Sequence, residues 1–249
     1  MQLPAQISDI ARPPRALCEA LARIGAATVS SELNLMGIRN PHILGPRSLT
    51  PGQSVAGPAL TLQCMPKRED LYGAREYDNP ELQLHRHALY PAQQGDIAVV
   101  DARGGMTSGI FGEMMLTFFS ARGGAGVVID GCIRDSGKAK QLQLGVWARG
   151  ATPNFHAQTD LMPFAVNVPI ACGNVLVMPG DIIVADDDGA VVVPAALAAQ
   201  VAEAAGAHAD WEEFSRLRLS QGGDLRKYYP LTEAALAEYE AWKDKLASP

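Results

Sequence analysis

Residues 97–135 read IAVVDARGGMTSGIFGEMMLTFFSARGGAGVVIDGCIRD. The segment opens on Ile97, Ala98, Val99 and Val100 and closes on Val127, Val128, Ile129 and Asp130. Both runs are apolar at consecutive rather than alternate positions, the pattern of strands covered on both faces, as in a parallel sheet. Residues 101–111 read as a glycine-rich loop. Residues 112–121 are apolar over a helical length, and Gly123, Gly124 and Gly126 end the helix. Residues 131–135 form the next loop, 136–144 a helix and 146–149 a strand. This strand–loop–helix–strand rhythm predicts an α/β fold.

Further downstream the pattern turns β-rich, with strands expected at 165–169, 174–177, 182–185 and 190–193. The last two flank Asp186-Asp187-Asp188-Gly189, which lacks the alternating acids and the later Glu of a calcium loop and reads as a hairpin turn. Pro194 opens a helix over 195–217, interrupted at Gly206, and a last helix covers 232–246. Upstream, residues 1–14 are a proline-containing arm. Residues 15–24 are a helix with Gly25 as its C-cap, 28–35 a second helix, and 37–53 turns and edge strand. A strand over 54–64 is interrupted by Gly57 and Pro58, 67–80 is a charged loop, and 81–90 is helical. Domain boundaries are expected at 15–205 for the α/β body and 206–249 for a helical extension.

The composition, 47% hydrophobic and 19% charged, is that of a chain able to bury a core. A formal charge of −6 argues against a nucleic-acid partner held through phosphates. The cysteines Cys18, Cys64, Cys132 and Cys172 are widely spaced and suggest neither a zinc site nor a disulfide framework. The N-terminus lacks the long apolar stretch of a signal peptide, and no run has the length of a membrane span. A cytoplasmic protein with no membrane partner is expected.

Two stretches carry chemistry. In Gly109-Ile110-Phe111-Gly112-Glu113-Met114-Met115 a glycine-rich loop runs into a helix N-terminus, where free backbone N–H groups accept anions such as a carboxylate. In Asp130-Gly131-Cys132-Ile133-Arg134-Asp135 a guanidinium and a carboxylate follow an apolar strand. Sites in open α/β sheets gather at such carboxyl ends. The guanidinium suits a bidentate anion and the carboxylate a hard cation. Elsewhere, His85 and His87 are two apart and face different directions on a helix. His156 and Arg103 are minor candidates for contacting a substrate's distal group, beside the plainer reading of each as a structural residue. Lys138, one turn past Asp135, is the nearest candidate for a Schiff base.

Twenty residues separate Glu113 from Arg134, giving E-x20-R-D. With GDIAVVD, AGVVIDG and ADDDGAVVVP around it, the pattern resembles the family of the regulator of ribonuclease activity A. It is closer to that family's enzymatic branch, the 4-hydroxy-4-methyl-2-oxoglutarate/4-carboxy-4-hydroxy-2-oxoadipate aldolases. The resemblance covers roughly residues 20–205. The tail and the insertion near 66–80 resemble a longer subgroup. It implies a layered β-β-α core akin to swivelling phosphohistidine domains, with a C-terminal helical extension, assembled as homotrimers or homohexamers.

The resemblance also implies roles. Arg134 matches the arginine that contacts the carboxylate and oxo group of a pyruvate-type 2-oxo acid. Asp135 matches the direct ligand of a divalent cation, Mg²⁺ or Mn²⁺, and Glu113 an acid that holds metal-bound water. Gly112 and the amides of Met114 and Met115 match the cradle of the carboxylate. The chemistry implied is carbon–carbon cleavage, by an aldolase or oxaloacetate decarboxylase, through a metal-stabilised enolate. A dehydratase or hydratase of a sugar-acid derivative with the same metal site is the first alternative. A non-catalytic ribonuclease-binding regulator is the second, and the acid at 135 favours the enzyme over it.

Overall fold

The computed structural model describes residues 8–72 and 78–247. Part of the expected N-terminal arm and part of the charged loop over 67–80 lie outside the described residues. The chain divides into two compact units, residues 1–202 and 203–249.

The first unit begins with α1 (Arg15–Ile24), closed by Gly25 at φ 93°, whose N–H donates to Leu21 C=O. Helix α2 (Ala26–Leu35) follows at once. It starts two residues before the expected point because a distant group caps it: the Asp186 carboxylate accepts the Ala26 N–H at 2.7 Å. The short β1 (Arg47–Ser48) leads into β2 (Val55–Pro66). β2 runs unbroken through Gly57 and Pro58, against expectation, because these residues sit where it exchanges one neighbour for others. Gly57 is required there: a Cβ would lie 1.8 Å from the Gly95 carbonyl oxygen.

Helix α3 (Leu84–His87) is a single turn, shorter than the 81–90 expected. A 3-10 turn over Pro80–Leu82 takes the first residues, and Gln83 breaks the run with ψ 85°. Then come β3 (Ile97–Gly109), α4 (Glu113–Ala121), β4 (Gly126–Ile133), α5 (Ser136–Ala139) and β5 (Gly145–Ala151). The expected loop over 101–111 is instead mostly strand, and β4 persists to Ile133. After Val100 the pairing with β4 is irregular but resumes at Gly105 opposite Gly131 and at Gly109 opposite Cys132. Glycine permits this approach, since a Cβ on Gly131 would stand 2.6 Å from the Ala102 Cβ. α5 is one turn instead of a helix to 144, because the chain turns inward to bury Leu144 before β5. The unit continues with β6 (Leu161–Val166), β7 (Ile170–Cys172), β8 (Val175–Val177) and the hairpin β9 (Ile182–Asp186) with β10 (Gly189–Val193).

The main sheet is ordered β1-β5-β4-β3-β2-β9-β10, with β6 also on β2. β2, β3, β4 and β5 are parallel. Consecutive residues of a strand face opposite sides, and both sides are covered. Val100, Val127, Ile129 and Val146 pack with Leu84, Leu89, Leu116 and Phe119 of the helical side. Val99, Val128 and Trp147 pack with Ile170, Cys172 and Val177 of the separate β7–β8 pair and with Ile183 and Val192 of β9 and β10 at the far end of the main sheet. The fold is therefore an α/β body layered helix, sheet, β layer, which leaves the carboxyl ends of β3, β4 and β5 together at one edge.

Helix α6 (Ala198–Ser220) follows a 3-10 turn at Ala195–Leu197 and passes Gly206 without interruption. Nothing crowds Gly206, so only its helix propensity is lost, about 1 kcal/mol. With α7 (Leu225–Tyr228) and α8 (Glu233–Ala247) it forms the second unit around Phe214, Tyr228, Ala235 and Tyr239, with Trp211 and Trp242 against them. Among the described residues no helix is long and apolar enough to cross a membrane.

Candidate active site

β3 and β4 end side by side, and the polypeptide leaving each holds the other. The Arg134 N–H donates to Phe111 C=O at 2.9 Å and the Ile110 N–H to Cys132 C=O at 3.0 Å. This lattice brings the start of α4 against Arg134 and Asp135. The Asp135 carboxylate accepts the Glu113 N–H at 3.1 Å, one of the N–H groups that a helix leaves unsatisfied at its start. Asp135 itself is at φ 55°, ψ 37°, the left-handed region that non-glycine residues occupy mainly where surroundings impose it.

Gly112 is the pivot. A Cβ there would lie 2.9 Å from Asp135 Oδ2 and 3.2 and 3.3 Å from Arg134 Nη2 and Nε, so the missing side chain leaves a shared hollow before both groups. Gly109 does the same for the aliphatic stem, since its Cβ would stand 2.3 Å from Arg134 Cγ. The guanidinium lies 5.9 Å over the Phe155 ring. Arg134 is half-buried and, among the described residues, makes no ion pair.

The other expected residues divide. Glu113 Oε2 receives Lys138 Nζ at 2.5 Å, and the Glu113 carboxylate holds the Lys138 ammonium above its ordinary range. Of the amides at the start of α4, that of Met115 donates to Gly112 C=O at 3.1 Å. The Met114 side chain is exposed. Asp135, Lys138, Ala151, Thr152 and Pro153 line a cavity of about 420 Å³. Arg103, at φ 58°, donates its N–H to Asp101. The Asp186–Gly189 stretch is a hairpin turn whose carboxylates cap Ala26 and Gly52.

His156 is buried rather than open to the cavity, and its Nε2 meets Tyr72 Oη at 3.1 Å. His85, also buried, crosses the His156 ring edge-on at 4.1 Å. Sequence spacing separated His85 from His87 correctly but gave no sign that His85 and His156 meet. A second polar group was also missed. Asp101, Asp130 and Arg149 each follow the last regularly paired residue of β3, β4 and β5, namely Val100, Ile129 and Ala148, and Arg149 Nε pairs with Asp130. Burial and the nearby Asp130 charge push the Asp101 carboxyl above its ordinary range.

Among the described residues no group of three or more His, Cys, Asp or Glu could hold a metal. A hard divalent cation asks less: one or two carboxylates, with waters completing the shell. Asp135 and Glu113 supply that oxygen set, and the hollow at Gly112 leaves the Asp135 side unobstructed. The residues fit such an ion.

Fold and site together define a layered α/β protein with a guanidinium and a carboxylate at the ends of adjacent parallel strands. Residues 16–192 match the RraA-like family, Aldolase/RraA, and the chain belongs to it. The crystal structure of Streptomyces coelicolor RraAS2, an unusual member of the RNase ES inhibitor RraA protein family, is 42% identical. It superposes with a TM-score of 0.75 over 83% of this chain and 100% of that one. An uncharacterized protein of Pseudomonas syringae pv. tomato is 26% identical, with a TM-score of 0.75 over 92% of this chain and 98% of its own. A candidate 4-hydroxy-4-methyl-2-oxoglutarate aldolase of Halalkalibacterium halodurans is 42% identical over 107 residues. That match spans 43% of this chain and only 50% of the relative's length.

Proposed function

We propose that this chain is a divalent-metal-dependent carbon–carbon lyase, an aldolase or decarboxylase acting on a pyruvate-type 2-oxo acid. The observation that carries this reading is the half-buried Arg134 guanidinium, unpaired among the described residues, beside Asp135 and the start of α4. A buried-side cation without an anion is set for an anionic ligand. Relatives named as candidate 2-oxo acid aldolases support the choice of ligand.

In this reading Arg134 grips the carboxylate and oxo oxygens of the substrate in its planar fork. The N-terminal dipole of α4 adds fixed positive potential where negative charge gathers as the bond breaks. Asp135, with Glu113 behind it, would hold Mg²⁺ or Mn²⁺, which supplies Lewis-acid stabilisation of that charge. Lys138 serves Glu113 rather than a carbonyl. A Schiff base needs a desolvated amine of depressed pKa, and Lys138 is exposed and shifted the other way. The chain is proposed to act in the cytoplasm as a homotrimer or homohexamer.

The test is to supply oxaloacetate with Mg²⁺ or Mn²⁺ and follow pyruvate, with and without a chelator. Chelator-sensitive pyruvate release is expected. No release from oxaloacetate or from 4-hydroxy-2-oxo acids, with a ribonuclease inhibited instead, would assign the chain to the family's regulatory side.

A further inference from the structure

Arg134 carries a half-buried charge and, among the described residues, makes no ion pair. What faces it is an aromatic ring: the guanidinium carbon lies over Phe155, 5.9 Å from the ring centroid. A cation is attracted to the negative face of a ring out to about 6 Å. Both partners attach at Gly109. A Cβ on that residue would collide with Arg134 Cγ and stand 2.9 Å from the Asn154 carbonyl oxygen. The Gly109 N–H donates to the same oxygen at 3.0 Å, and Gly109 and Phe155 form a parallel bridge. On the far side, the Phe155 N–H donates to Gln158 Oε1 and the Gln158 N–H to Phe155 C=O, each at 3.0 Å. The next residue, His156, is buried and meets Tyr72 Oη at 3.1 Å. The backbone that carries the ring is thus held on both sides of Phe155.

We propose that Phe155 is a positioning residue for Arg134, a ring that steadies the guanidinium without occupying its donors. This rests on the reading of Arg134 as the carboxylate-binding group. A charge drawn partly out of water needs compensation. A carboxylate in the place of the ring would supply it through paired hydrogen bonds, and would fill the fork that the substrate needs. The ring attracts the cation through its quadrupole and takes up no N–H donor as a carboxylate oxygen would. The free edge is then defined by Gly112. The hollow left by its missing side chain borders Arg134 Nη2 and Nε, 3.2 and 3.3 Å from where a Cβ would stand. Those two nitrogens carry parallel donors of the guanidinium plane, the pair that meets a carboxylate bidentately. With its stem on Gly109 and its head over Phe155, the arginine presents that pair to the hollow.

The inference is tested on the full chain with ¹⁵N-labelled arginine. Protons over the face of a ring resonate upfield. The Arg134 Nε–H signal, assigned by its absence in Arg134→Lys, should lie upfield in wild type and move downfield in Phe155→Leu. A signal at the same position in both would sink the proposal whether or not the enzyme turns over. In parallel, pyruvate with MgCl₂ is titrated into wild type, Phe155→Leu and Phe155→Tyr. Leucine keeps apolar bulk without the ring and should weaken pyruvate binding about fivefold. Tyrosine restores the ring and should stay within about twofold of wild type. Wild-type affinity in the leucine variant, or equal loss in both with unchanged melting temperature, counts against the assignment. If wild type takes up no pyruvate, the carboxylate-binding reading falls, and the arginine spectrum alone decides whether Phe155 holds the guanidinium.

Discussion

Asp135 and Glu113 stand 22 residues apart in sequence, yet the Asp135 carboxylate accepts the Glu113 backbone N–H at 3.1 Å. The E-x20-R-D spacing is the trace of this contact. It spans one helix and one strand of a parallel crossover, whose length sets the distance between the two acids. The same bond ties the proposed cation ligand to the positive end of α4, so the carboxylate is oriented before any ligand arrives.

The first consequence concerns Asp135→Asn. Asparagine tolerates the left-handed backbone at φ 55° and keeps an oxygen for the Glu113 N–H. The fold should therefore survive, with a melting temperature near wild type. What is lost is the charge that holds the cation, which supplies several kcal/mol to such reactions, or at least about 100-fold in rate. Pyruvate release from oxaloacetate at saturating Mg²⁺ measures it. A variant with full activity removes Asp135 from the metal.

Gly112→Ala probes the hollow. The backbone at 112 is extended, φ −111° and ψ −179°, a conformation any residue adopts, so no backbone strain is introduced. The new methyl would meet Asp135 Oδ2 at 2.9 Å and the guanidinium at 3.2 Å. Both groups must move to admit it, and a displacement approaching about 1 Å at a reacting centre costs up to about 100-fold. kcat/KM should fall on that scale while the thermal melt stays close to wild type. Unaltered kcat/KM in the alanine variant would place the substrate elsewhere.

Gly57→Ala separates fold from chemistry. Its Cβ would be 1.8 Å from the Gly95 carbonyl oxygen, and that obstacle is backbone, which cannot turn aside like a side chain. Overpacking of this kind costs about 1–3 kcal/mol or more. A denaturant midpoint lowered to match, in whatever protein remains soluble, is the expected outcome. An unchanged midpoint would mean that β2 and the Gly95 turn are farther apart than the structure places them.

These positions also mark how far sequence reading carries. The strands at 97–100 and 127–130 were legible because burial on both faces leaves a continuous apolar run. Helix α1 and the β9–β10 hairpin were legible because Gly25 and the Asp186–Gly189 turn are local signals. The pairing of Arg134 and Asp135 with the start of α4 was anticipated from resemblance, and the structure brings those groups together. What escaped were features made by distant partners. Asp186 caps α2 from 160 residues away, glycines 105 and 109 continue β3 where a loop was expected, and His85 meets His156 from 71 positions away. No window of neighbouring residues contains those contacts.

The last prediction uses His85 as a reporter of acid stability. Its folded-state pKa lies well below the ordinary 6.5, with burial as the largest cause and the positive charges around it adding to the effect. In the unfolded chain the imidazole is free to take a proton near its ordinary value. As pH falls below about 6.5 the unfolded state therefore binds more protons than the native one, and stability is lost. The loss continues until the pH reaches the depressed native value. Asp101 works with the opposite sign at lower pH: burial raises its native pKa above 3.8, so the native state takes up that proton first and gains from acidification. Melting temperatures from pH 7.5 down to 5 should fall in wild type, and fall less in His85→Asn, which has no group titrating there. Parallel curves for the two proteins would show that His85 is not the buried neutral imidazole from which this acid sensitivity is derived.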